Sequence, residues 1–198
     1  MTKITKNISK LKYLFILSVF TICSGQPLGV GDTIPTGFAL PWCANNPTDS
    51  DTLFLDDYNG AINEYGNYSV IWLMTFTSWW PFCETEAPIS QEILDVYADS
   101  GLVVIGLGSD WGQPYTCESW ASDLGLSYPI LDDENDPDID DDGIALNLFG
   151  TTAFPHDIII NHEMEIVYSQ MGFNETLLMN TLTAVSYTHL TLPTILLV

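Results

Sequence analysis

The chain has 198 residues, room for one domain and rarely two. Its 26 acids face 4 lysines and no arginine, for a formal charge of −22. All four lysines (Lys3, Lys6, Lys10, Lys12) precede the first acid, Asp32. A body without one basic side chain excludes nucleic-acid binding by phosphate neutralisation. It also lacks the usual clamps for phosphorylated or carboxylate substrates. A hydrophobic content of 46% and an aromatic content of 12% exclude disorder, so the expectation is a soluble acidic globular domain.

Residues 1–25 read as an export signal: lysines in the first twelve positions, an apolar run from Tyr13 to Ile22, then the small residues Cys23-Ser24-Gly25. The run is shorter than the roughly 18 residues that a membrane anchor needs. A lipoprotein variant would acylate Cys23 and so reach a membrane, although Ile22 stands where a lipobox places a small residue. The native domain is read as residues 26–184. Val185 to Thr194 (VSYTHLTLPT) resembles the in-frame translation of a sequencing adapter, so residues 185–198 are read as a non-native tail and His189 is set aside as a ligand.

Within the domain, strand and helix patterns alternate. Thr52 to Leu55 is a short strand, followed by a turn at Asp56 to Gly60. Ser69 to Phe76 (SVIWLMTF) is an apolar run of strand length, as a strand buried on both faces requires. A helix is predicted from Pro81 to Ala98, with Pro81 at the first position, where its missing N–H is not needed. Ile89, Ile93, Leu94 and Tyr97 share one face of it. Leu102 to Leu107 is a second buried strand, Glu118 to Leu124 a helix, Tyr128 to Leu131 a strand and Ile144 to Phe149 a short helix. His156 to Ile160 and Glu165 to Tyr168 form a hairpin across Asn161-His162, and Asn174 to Ala184 closes with a helix. This alternation implies an α/β domain with a largely parallel sheet.

The chemistry centres on Thr77-Ser78-Trp79-Trp80-Pro81-Phe82-Cys83-Glu84. The segment follows a buried strand and opens a helix, where free N–H groups and the helix dipole favour a thiolate. It joins Val30-Gly31-Asp32, Phe38-Ala39-Leu40-Pro41, Tyr58-Asn59-Gly60, Glu86-Ala87-Pro88 and Gly150-Thr151-Thr152-Ala153-Phe154-Pro155 in order. On these residues the chain resembles the thioredoxin-like superfamily. In particular it resembles exported redoxins of the alkyl hydroperoxide reductase/thiol-specific antioxidant and thiol–disulfide oxidoreductase types. The resemblance implies a central mixed sheet flanked by helices, with an N-terminal extension. It implies Cys83 as reactive thiol, Pro155 as a cis-proline shaping the site, and Trp79, Trp80 and Pro81 as its wall. No cofactor is required, and the partners are thiols, disulfides or peroxides.

The departures matter too. Where the oxidoreductases of the family carry W-C-x-x-C, this chain has Trp80 in place of the attacking cysteine and keeps only Cys83. Disulfide exchange needs one thiolate to attack and a second to resolve. Peroxiredoxins carry T-x-x-C with an arginine beside the thiolate. Trp80 stands where that threonine would be, and there is no arginine. After export three cysteines remain, Cys43, Cys83 and Cys117. Resemblance to atypical two-cysteine peroxiredoxins implies a Cys83–Cys117 couple. The other reading is a structural Cys43–Cys117 bridge with Cys83 as a small buried residue. Both stay open, because connectivity does not follow from sequence.

Other candidates are His156, placed to act on Cys83 or simply packed, and His162, read as solvent-facing in the hairpin turn. A copper site lacks its C-x-x-x-C pair. Residues 132–142 (DDENDPDIDDD) hold Asp138, Asp140 and Asp142 before Gly143, the opening of a calcium loop. Phe149 occupies the place of the closing glutamate, so a solvated acidic insert is the other reading. The leading function is an exported redoxin. The rival is a non-catalytic thioredoxin-like binding module, with calcium as a stabiliser.

A domain with acids and no bases repels itself, and salt screens that repulsion as the Debye length falls from about 30 Å at 0.01 M to about 3 Å at 1 M. Thermal unfolding followed by circular dichroism should therefore shift upward steadily from salt-free buffer to 0.5 M NaCl. An unchanged midpoint would count against self-repulsion as a term in its stability.

Overall fold

The computed structural model describes residues 25–134 and 143–191. Asp138, Asp140, Asp142 and most of the export segment lie outside the described residues. The order of elements is β1 (Ala39–Ala44), β2 (Thr52–Phe54), β3 (Val70–Thr77), α1 (Pro81–Tyr97), β4 (Leu102–Ser109), α2 (Cys117–Asp123), β5 (Ile130–Asp132), α3 (Ile144–Phe149), β6 (His156–Ile160), β7 (Ile166–Met171) and α4 (Glu175–Thr191). The described strands form one sheet in the order β2-β1-β5-β4-β3-β6-β7.

β3 organises the domain. All eight of its residues are buried, flanked by β4 in parallel and β6 antiparallel. Successive side chains of a strand point to opposite faces, and here they supply two separate cores. Val70, Trp72, Met74 and Phe76 join Ala87 and Ile93 of α1, Trp120 of α2 and Leu178 and Leu182 of α4. Ile71 and Leu73 join Ala145 and Phe149 of α3 and the N-terminal residues Ile34, Phe38, Leu40 and Leu53. The result is an α/β fold with helices on both faces of a central sheet.

The sheet is mixed. Only β3–β4 and β4–β5 are parallel, so the largely parallel sheet expected from alternation is corrected. The difference comes from β6–β7, which pairs through β6 antiparallel to β3, and from β1, which joins β5 antiparallel. β1 had no strand signature in the sequence. Its ALPWCA stretch contains a proline and buries only Leu40 fully, so neither alternation nor a continuous apolar run marks it. α4 continues beyond Ala184 to Thr191, and Val185 packs against the first core.

The acidic stretch is not solvated from its start. Asp133 is buried, and its two carboxylate oxygens accept from the backbone N–H groups of Ala145 (2.8 Å) and Leu146 (2.9 Å). Those N–H groups open α3 and have no partner within the helix. A Cβ at position 143 would fall onto Asp133, so a glycine is what lets the chain return this close. Asp133 thus ties the two ends of the acidic insert together. Asp133→Ala should lower stability by ~1–3 kcal/mol, the range for buried hydrogen bonds to a charged group. Urea denaturation checks this, and a loss of under about 0.5 kcal/mol, the range of surface substitutions, would deny Asp133 that role.

Candidate functional site

The strand-to-helix turn after β3 lies at the C-terminal edge of the parallel strands. Trp80 has extended backbone and its carbonyl accepts from the N–H groups of Cys83 (3.0 Å) and Glu84 (3.2 Å), which starts α1. Pro81 occupies the first turn, as the sequence predicts. The turn is fixed to the end of β4: Ser78 donates from its N–H to the Ser109 carbonyl (3.3 Å) and from its hydroxyl to the Asp110 carbonyl, and Trp79 Nε1 donates to Asp110 Oδ2 (2.9 Å). The Phe154–Pro155 bond is cis. Trp79 and Trp80 face Ala153 and Phe154 of that proline's loop across a cleft of 220 Å³. The turn, the two tryptophans and the proline loop therefore meet at one place.

Cys83 points inward from this turn. It is 2% exposed, on the buried face that it shares with Glu86, Ala87, Ser90 and Ile93 of α1. Burial pushes its thiol up to about 12; the Thr77 backbone opposes the rise, and Glu86 and Asp157 add to it. A buried thiol beside two acids keeps its proton at neutral pH, and the thiolate is the nucleophilic form. Cys117 stands elsewhere. It opens α2 and is bonded to Cys43 of β1, with 5.8 Å between the Cα atoms. The Cys83–Cys117 couple is therefore not formed in this structure, and Cys83 is a free thiol. Both half-cystines are half-buried and border the same core as Cys83.

His156 is 1% exposed, with Nδ1 at 2.8 Å from Thr151 Oγ1 and Nε2 at 2.9 Å from Ser169 Oγ. Burial pushes its pKa down to about 4. With both nitrogens engaged and no charge at neutral pH, it is a packed residue and supplies no imidazolium to a thiolate. His162 is half-buried rather than solvent-facing, edge-on to Tyr68. Among the described residues no group of three or more His, Cys, Asp or Glu could hold a metal ion.

Two site residues went unrecognised in the sequence. Glu86 is 1% exposed, and Asp157, between His156 and three isoleucines in β6, is fully buried. Trp72 Nε1 donates to Asp157 Oδ1 (2.8 Å). No indole, hydroxyl or backbone donor reaches either Glu86 oxygen or Asp157 Oδ2, which leaves the two carboxyls to each other. Burial raises both pKa values, and the two carboxyls raise Glu86 further through their mutual contact. A proton held on Glu86 and directed toward Asp157 removes one of two buried like charges. The signals for these residues were an acid three places after Cys83, on its own helix face, and a lone Asp inside HDIII.

A family model described as the AhpC/TSA family matches residues 30–169. The fold is similar to that of a thiol:disulfide interchange protein of the DsbE type from Chlorobium tepidum (TM-score 0.62, 20% identity, 80% of this chain and 99% of that one). It is also similar to a thiol-disulfide isomerase from Corynebacterium glutamicum (TM-score 0.61, 17% identity, 78% and 96%). A secreted disulfide oxidoreductase from Mycobacterium tuberculosis is a further likeness (TM-score 0.54, 15% identity, 74% and 95%). No functionally curated protein matches the chain in sequence.

The buried pair makes stability depend on pH. Because Glu86 and Asp157 hold protons more tightly folded than unfolded, their contribution is fully present below the ordinary carboxyl range. It is lost as pH rises from there toward their raised folded values. His156 acts in the opposite sense, losing stability as pH falls from its ordinary value toward about 4, and is common to both proteins compared. Glu86→Gln should therefore gain on the wild type as pH rises from 5 to 8, at up to about 1.4 kcal/mol per pH unit. Urea titrations at each pH measure it, and parallel curves would show that the pair does not titrate with folding.

Proposed function

We propose a role in thiol–disulfide redox chemistry outside the cytoplasm for this chain, which belongs to the AhpC/TSA family of thioredoxin-like redoxins. The observation that carries the reading is the Cys43–Cys117 disulfide, half-buried and bordering the same core as the thiol at the family's active-site turn. A substrate thiolate attacks one sulfur of the bridge, forms a mixed disulfide and releases the other cysteine as a thiolate. A second substrate thiol then resolves the mixed disulfide. The protein gains two electrons and two protons as a dithiol, and the substrate leaves as a disulfide. Rearrangement with Cys83 would need its thiolate, which burial opposes, so the exchange runs through Cys43 and Cys117. Trp79, Trp80, Pro81 and Pro155 wall the turn where a substrate would lie.

Direct attack of Cys83 on a peroxide is the less favoured chemistry, because it needs a thiolate that burial opposes. Export is supported by the lysine-led apolar segment at residues 1–25 and by a disulfide, which persists in oxidising compartments. The secreted Mycobacterium tuberculosis protein is similar in fold. Localisation by acylated Cys23 belongs to the same reading.

A second reading, a binding module that keeps the fold without turnover, is favoured by one observation: the single remaining active-site cysteine is 2% exposed, behind Trp80. Peptide mass mapping of alkylated cysteines decides between them. Under mild reduction of the folded protein, Cys43 and Cys117 should become alkylated together, and the bridge should return on oxidation. If the bridge opens only when the protein unfolds, and Cys83 stays unmodified with peroxide added, redox turnover fails and the module remains.

A further inference from the structure

The same turn presents an outward aromatic face beside which the substrate of the proposed exchange would lie. Trp79, Trp80 and Phe82 are 51%, 36% and 67% exposed. Trp79 and Trp80 meet edge to face with centroids 5.5 Å apart, and Trp80 lies 5.6 Å from Phe82. Phe154 closes the cleft opposite. Two exposed carboxylates are held beside the turn: Asp110 accepts from Trp79 Nε1 (2.9 Å), and Glu84, in the first turn of α1, accepts from the Tyr115 hydroxyl (2.8 Å). Among the described residues neither has a cationic partner, because no lysine or arginine follows Lys12.

From this charge complementarity we infer that the aromatic face at Trp79, Trp80 and Phe82 docks a basic segment of a partner protein, seating an arginine or lysine between the tryptophans and the two carboxylates. Aromatic faces attract cations through their negative quadrupole, arginine most often. Carboxylates beside them add charge and a hydrogen-bond acceptor for the guanidinium. A second copy of this chain is a poor occupant, because every lysine it carries lies at or before Lys12, in the segment read as an export signal, and its domain brings only further acids to the face. The inference rests on the redoxin reading only for the place of docking, since binding itself needs no thiol to react.

The test uses the oxidised full-length protein at low ionic strength and a cysteine-free peptide, acetyl-Ala-Arg-Leu-Arg-Ala-amide. The control is its analogue with both arginines replaced by citrulline. Calorimetry should give measurable binding of the arginine peptide that weakens at least tenfold with citrulline. The double variant Glu84→Gln, Asp110→Asn should weaken it at least fivefold with an unchanged circular dichroism spectrum, and Trp80→Ala should weaken it further. Equal binding of the citrulline peptide would mean an apolar site and overturn the inference. So would absence of binding at millimolar peptide, or a dimer in sedimentation that Trp80→Ala abolishes. Because the peptide has no thiol, none of these outcomes depends on whether the Cys43–Cys117 bridge exchanges.

Discussion

The absence of any cationic side chain beyond Lys12 is the constraint under which the whole domain is built. A carboxylate taken out of water must find a donor or keep a proton, and here the donors are neutral. Indole N–H groups serve three aspartates, the buried Asp157 from Trp72, the half-buried Asp132 from Trp111 and the exposed Asp110 from Trp79. A phenol serves Glu84, and backbone N–H groups at a helix start serve Asp133. Glu86 has none of these and keeps its proton instead. Three of the six tryptophans thus answer the charge balance. The rings fill space in the core and also take the part that arginine plays elsewhere.

This arrangement explains why the family turn is kept while its thiol is subdued. β3 carries the chain through the middle of the sheet and delivers Cys83 to the inner face of α1, three residues before Glu86. In a site with cations, a thiolate there would be compensated. With only carboxyls for company, every electrostatic contact from Glu86 and Asp157 favours the protonated sulfur. Trp80, in place of a first cysteine, adds an aromatic surface instead of a second sulfur. The disulfide joins β1 to α2 and leaves Cys83 out.

Much of the fold was legible because its elements are strongly patterned. SVIWLMTF and LVVIGL are too apolar and too short to be anything but buried strands, and α3 and β6 were placed to the residue. β1 was hidden because Pro41 and a half-buried surface erase the pattern, and the direction of β6 follows from tertiary pairing that local sequence does not encode. The turn was legible through Pro81 and Cys83. Glu86 and Asp157 were not, because an acid reads as solvent-facing until its helix face or strand neighbours are known to be buried. Asp133 was concealed in the same way, as one acid among eight in the run from Asp132 to Asp142. The pairing of the cysteines depended on β1, the one strand the pattern missed.

The bridge between Cys43 and Cys117 also closes a covalent ring across a sequence separation of 74. Within that ring lie β2, β3, α1 and β4, and with them the turn bearing Cys83. A protease that cuts one exposed loop inside the ring, such as residues 59–68 with their exposed Ile62 and Tyr65, leaves both fragments joined through sulfur. The central strand then remains paired on both sides, and the cut ends stay within reach of their places. The first nick becomes a survivable event, and lifetime among proteases is set by the second.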